Sequence, residues 1–359
     1  MEQIIFFAFL VLFPFGQIVK IGIINPIDVV VVIGALYAIF KKLPRPEHFK
    51  YIDAFLLVLG FTWVIGFLQD FRGLPAQAGI YGLLYLFRLA AYFYFSILVF
   101  NSQISNLLLK SLLSLSLVSA LAGWIQYFWI PDLTTFTIWG WDDHLYRMAG
   151  TFLDPGFLGI ILVLGAILAL HKKYYLAFGF LAFSILFTYS RASYLALIVP
   201  LFFMFKKLKY YLLFVICLLI IGISLPRVAG EGVRLERTAS INQRFENYSQ
   251  TFEIFKNNPL FGVGFNNICL AKNSDFSSHS CSGADSSILF LLATTGVVGF
   301  TAFVYMIYRI WYVVRQYTTY NILYTSFFVI MIHSLFSNSL FYPWVMGWMA
   351  ILLGSKKDR

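Results

Sequence analysis

Charge is what this sequence has least of. Only 12% of its 359 residues are Asp, Glu, Lys or Arg, about half the share of a soluble domain. So few polar groups could not cover a water-facing exterior, which excludes an ordinary soluble fold. Acids are scarcer than bases, 16 against 26. Cysteine is nearly absent, with three residues, and no Cys/His spacing resembles a metal motif. No phosphate-binding glycine loop or dinucleotide fingerprint occurs, which argues against a soluble nucleotide as direct substrate. Internal repeats, heptad runs and linker-like stretches are missing too, so one membrane domain over 1–359 is expected. Strand-like alternation is also missing, which removes a membrane β-barrel.

What the chain does have is hydrophobic length. It is 60% hydrophobic and 19% aromatic, and its apolar residues fall in blocks of roughly 20, enough for a helix to cross about 30 Å of hydrocarbon. The blocks lie near 4–19, 25–40, 51–68, 79–100, 107–129, 155–171, 174–189, 192–206, 210–226, 286–310, 320–336 and 341–354. The predicted fold is all-α, a polytopic transmembrane bundle of about 12 spans. The first block follows Glu2 instead of a basic cluster and no small-x-small site follows it. It therefore reads as a retained span, not a signal peptide.

Basic residues set the expected orientation. With the N-terminus cytoplasmic, Lys41-Lys42 with Arg45, Lys172-Lys173, Lys206-Lys207 with Lys209, Arg309 with Arg315, and the tail Lys356-Lys357-Asp358-Arg359 all fall on the cytoplasmic side. The formal charge of +10 then reflects topology and not nucleic-acid binding. The chain is expected in the cytoplasmic membrane, with both termini on the cytoplasmic side.

The opposite side receives the turn at Asp70 and Arg72, a segment near 131–155, the tight Ser190-Arg191-Ala192-Ser193 junction and a long loop at 227–285. Within that loop, Asn242 to Asn257 predicts an amphipathic helix, with Phe245, Tyr248, Phe252 and Phe255 three or four apart. Asn258-Pro259 ends it, and Gly262-Val263-Gly264 makes a tight turn. Cys269 and Cys281 share this loop, where oxidising conditions permit either a bridge or two free thiols. Cys217 is expected to pack inside a span.

Arginines where these loops meet the membrane are the candidate functional groups. Arg147 precedes Met148-Ala149-Gly150-Thr151-Phe152-Leu153-Asp154-Pro155, Arg191 occupies a short turn, and Arg244 heads the loop helix. A guanidinium keeps its charge at such a boundary and presents a planar fork to phosphate oxygens. The plainer role for each is anchoring a helix end or pairing with an acid. Arg88, well inside the fourth block, must face the bundle interior, lining a donor cavity or pairing with an acid. His333 with Ser337-Asn338-Ser339 suits interhelical hydrogen bonds. Trp124, Trp129, Trp139 and Trp141 suit an interfacial aromatic belt.

Three segments in order carry a resemblance: Thr188-Tyr189-Ser190-Arg191-Ala192-Ser193, Asn257 to Asn267 (NNPLFGVGFNN), and Ile288 to Gly299 (ILFLLATTGVVG). Together they resemble the O-antigen ligase and O-antigen polymerase superfamily over about 145–300. That resemblance implies a membrane glycosyltransferase of the GT-C-like type, with a helical bundle and an active site facing outward. It implies a glycan on a polyprenyl pyrophosphate as donor and a glycan, lipid or protein as acceptor, with no cofactor and no metal. By carry-over, Arg191 and Arg244, then Arg147, are the pyrophosphate candidates. Gly262 and Gly264 would let the loop turn closely beside the cavity. Ligases of the family usually carry a catalytic His at the position of Asp285. Here Asp285 or His279, six residues upstream, is the base, and an acid at this place tilts the reading from ligase toward polymerase. Asp285 before Ser286 also suits an N-cap. The rival classes are a lipid-linked glycan flippase, a peptidoglycan-polymerising enzyme and a membrane scaffold.

Overall fold

The computed structural model describes residues 1–22, 24–70, 76–102, 105–139, 141–205, 207–228, 231–272, 283–315 and 320–355. Among them the regular structure is helical, with no strand beyond two isolated bridges. The helices are α1 (Glu2–Leu12), α2 (Pro26–Phe40), α3 (Phe49–Asp70), α4 (Ala76–Asn101), α5 (Ser105–Trp129), α6 (Pro155–His171) and α7 (Tyr175–Leu186). They continue with α8 (Arg191–Met204), α9 (Leu208–Ser224), α10 (Ala239–Asn257), α11 (Ile268–Ala271), α12 (Ser287–Val314), α13 (Tyr320–His333) and α14 (Pro343–Leu353).

Each of the twelve apolar blocks overlaps a helix. Four are long and apolar enough to cross a membrane by length and composition: Phe49–Leu68, Ile80–Asn101, Leu107–Trp129 and Ser287–Val314. The other eight run only 10–17 residues. Turn chemistry shortens them: α1 tightens into a 3₁₀ turn at Phe13–Phe15 around Pro14, and α14 begins only at Pro343.

The centre of the bundle is α6. Its residues from Leu158 to Ala169 are buried without a break, the signature of a helix apolar on every side. It is enclosed by α5, α7, α8 and α13, while α4 packs on α2 and α14, and α3 on α12. Cys217 corrects an expectation. It is exposed on α9, a helix that buries only Leu218 and Gly222.

The 227–285 loop grips the bundle through a break in α12. Gly296 takes φ 63° and ψ −166° there, where only glycine is comfortable. In an unbroken helix Val297 N–H would donate to Ala293 C=O. Here Val297 N–H donates to Pro259 C=O at 2.9 Å, and Ala293 C=O accepts from Val263 N–H at 3.0 Å. The loop satisfies both groups that the break orphans. Gly262 (φ 65°) lies against the backbone of Thr294 and Thr295, and Gly296 against that of Leu260, so a Cβ at either would collide with main chain. Gly264 (φ 88°) approaches Gly66 of α3. The two loop glycines thus sit at backbone-to-backbone contacts.

Asn242–Asn257 is helical as expected, within α10. Its packed face differs from the expected aromatic stripe. Thr251 and Ile254 are buried, whereas Phe245 and Phe252 are exposed. The helix docks sideways on α12, so the face between the aromatics decides its burial.

Candidate functional site

Three caps bring the polar ends of the helices together. Asp154 accepts from Phe157 N–H at 2.8 Å and starts α6, with Pro155 in the first turn. Ser190 accepts from Ser193 N–H and starts α8. Ser286 accepts from Leu289 N–H and starts α12. His333, fully buried at the end of α13, ties this end together. One ring nitrogen lies 3.2 Å from Ser193 Oγ and the other 2.6 Å from Ser339 Oγ, the interhelical role its surroundings suggested. Arg309 and Arg315 lie at the far end of α12, where they line a cleft with Glu47.

Between the caps stand the arginines. Tyr189 has a left-handed backbone, φ 48°, a conformation that costs a bulky residue free energy. The turn it makes leaves two consecutive carbonyls to guanidinium groups. Arg147 Nε donates to Thr188 C=O at 3.2 Å, and Arg237 donates to Tyr189 C=O at 3.3 Å. Arg237 also donates to Gly232 C=O and Arg234 C=O. Arg191 in turn donates to Arg237 C=O at 2.9 Å. Gly232 presses against the Arg147 side chain at 2.9 Å from where a Cβ would stand.

Neutral carbonyls hold these groups in place without cancelling their charge. Burial, with Arg237 beside it, lowers the Arg147 guanidinium to about 10. Burial, with Arg191 and Arg244 beside it, does the same to Arg237. Positive charge is therefore concentrated in a partly buried place, ready for an anion.

Asp285 faces this group. Ser286, not Asp285, caps α12, so the carboxylate is left over from the capping role that sequence suggested. Its backbone N–H donates to Asn247 Oδ1 at 2.9 Å, which ties it to α10. Burial pushes the Asp285 carboxyl above the ordinary range, while Arg244 and Lys272 pull it down. Burial lowers Lys272, which donates to Gly283 C=O at 3.1 Å. A partly buried carboxylate with a raised affinity for protons, set against cations, has the attributes of a general base.

Of the candidates, Arg147, Arg191, Arg244 and Asp285 thus come together. Arg88 does not join them. Its guanidinium lies 2.9 Å from Asp28 of α2, whose other oxygen accepts from Tyr92 at 3.0 Å. His279 and Cys281 lie outside the described residues. Cys269 is in a disulfide. Sequence reasoning missed Arg237, Lys272 and the group Asp142, His144 and Asp154. A signal for Arg237 existed: Arg227, Arg234 and Arg237 crowd the loop side on which basic residues are otherwise sparse.

Residues 176–304, from α7 into α12, match the family model described as O-antigen ligase. That match supports the O-antigen ligase superfamily. It covers well under half of the chain, yet it contains Arg191, Arg237, Arg244, Gly262, Gly264 and Asp285. None of the curated proteins compared with the chain matches it. The O-antigen ligase match, with the apolar helices around it, points to a membrane-embedded glycan-processing enzyme.

Proposed function

We propose that this protein is a metal-independent glycosyltransferase of the O-antigen ligase and polymerase type, acting on a polyprenyl-pyrophosphate-linked glycan. The observation that carries the reading is the arginine group built on backbone carbonyls and facing Asp285. In this reading the chain is one membrane body of about 12 spans in the cytoplasmic membrane. Both termini are cytoplasmic, and residues 227–285 cap the outer face. The pyrophosphate rests among Arg147, Arg191, Arg237 and Arg244, where charge-assisted hydrogen bonds stabilise the leaving group as its bond to the sugar breaks. The acceptor hydroxyl attacks the anomeric carbon. Asp285 takes the hydroxyl proton, and polyprenyl pyrophosphate departs with the bonding electron pair. A carboxylate base also keeps the polymerase reading ahead of ligase, with a second lipid-linked glycan as acceptor.

The test is donor turnover by the purified, detergent-solubilised chain. Release of free polyprenyl pyrophosphate is followed for wild type, Asp285→Ala, His279→Ala and Arg191→Ala. Release that collapses in Arg191→Ala and Asp285→Ala, and survives in His279→Ala, supports the reading and the base. If wild type releases no more than empty detergent across several donors and acceptors, the transferase reading falls and flipping of the lipid-linked glycan replaces it.

A further inference from the structure

Asp142, His144 and Asp154 stand beside the arginines and have no part in the transfer just described. Each offers one ligand atom, and these atoms lie within 4.8 Å of one another. Ligands bound to one ion at about 2.0–2.2 Å sit about 3–4 Å apart, so small side-chain rotations would close the group on an ion. We propose that these three residues form a divalent-cation site.

A second observation points the same way. His144 is only 7% exposed, and its Nε2 has no hydrogen-bond partner. Its Nδ1 faces Arg147 at 3.4 Å, so the proposal takes Nε2 as the ligand nitrogen. A buried ring nitrogen without a partner is costly, and an ion would satisfy it. The backbone that carries the ring is also held in place: His144 C=O accepts from Leu133 N–H at 2.9 Å, and Tyr146 N–H donates to Pro131 C=O at 2.8 Å. Asp154 is oriented by Phe157 N–H on one oxygen, which leaves the other for a ligand role. Asp142 is exposed and gives an ion a way in from solvent.

The donor set selects the ion. Two carboxylates and one imidazole suit Mn²⁺ or Zn²⁺ better than Mg²⁺. Three protein ligands leave positions for water or anionic oxygen. Cation binding also has a consequence for Arg147. An ion on Nε2 requires the imidazole proton on Nδ1, where Arg147 can then no longer donate. The guanidinium terminus is released while its Nε keeps Thr188. The site goes beyond the proposed transfer, whose chemistry uses no metal, and does not depend on it.

The experiment titrates Mn²⁺ into the chelator-treated, detergent-solubilised full chain and reads bound ion by electron paramagnetic resonance. One saturable site per chain is expected. Asp142→Asn and His144→Ala should each weaken it tenfold or more, and Asp143→Asn should leave it unchanged. Asp142 is exposed, so its variant tests the site without disturbing the fold, and thermal melting verifies this for each protein. Absence of saturable Mn²⁺ binding, or equal binding by wild type and Asp142→Asn, overturns the proposal. Because the readout is bound metal, its failure is distinct from failure of the transferase reading.

Discussion

Arg88 and Arg147 are both largely enclosed arginines of one chain, and they are treated in opposite ways. Arg88 meets a carboxylate at 2.9 Å, with 12% and 7% of the two side chains exposed. Tyr92 and Asn25 occupy further positions around the same Asp28, so the acid is saturated and the pair is neutral as a unit. Arg147 meets the carbonyl of Thr188, a histidine nitrogen and, close by, more arginine, with the Asp154 carboxylate near but not in a close ion pair with it. One environment cancels a charge to hold α2 against α4. The other keeps charges in place and leaves them able to act on something that arrives. A close ion pair therefore marks structure in this bundle, and an arginine fastened to neutral carbonyls marks the candidate site.

The comparison breaks most visibly in activity. Arg147→Gln and Arg237→Gln should each lower donor turnover by about 10²–10³-fold, the scale of losing one oriented charge-stabilising donor. The double variant Arg88→Met/Asp28→Leu should leave turnover within a few-fold of wild type. Equal losses in both regions, measured in the same release assay, would erase the distinction.

Stability should show the reverse order. Arg88→Met alone strands a buried carboxylate and should cost about 3–5 kcal/mol, whereas replacing both partners by apolar residues should recover most of it. Thermal melting in detergent distinguishes the two. Arg237→Gln removes no carboxylate partner and should melt closer to wild type.

The smallest effect sharpens the role of Asp285. Its carboxyl is raised by burial and held down by Arg244 and Lys272. A base must be ionised, so turnover should fall as pH drops through a value above the ordinary carboxylate range. Lys272→Gln removes a cation that favours the ionised form, so the acid limb of the pH profile should move to higher pH. A limb that stays put, or moves down, would remove Asp285 from the role of base.

Much of the fold was legible because hydrophobic length is a local property. The blocks around 51–68, 79–100, 107–129 and 286–310 became the long apolar helices α3, α4, α5 and α12. Asn258-Pro259 closed α10 where expected. Arginine at a loop boundary was enough to single out Arg147, Arg191 and Arg244, because few other charges compete for notice. Arg88 was narrowed to two roles, and its partner Asp28 lies 60 residues away, beyond the reach of any local pattern.

The sequence by itself determined that the chain is helical and apolar, which residues must be sheltered from lipid, and where polar chemistry can collect. Those follow from composition and spacing along the chain. Only the tertiary structure decided which cations are neutralised and that Ser286 takes the cap, leaving Asp285 over. It also decided that Asp142, His144 and Asp154 converge, and that the 259–263 loop completes the broken α12. Each of these depends on groups far apart in sequence being brought within a few ångströms, where desolvation and hydrogen-bond geometry decide what a side chain can do.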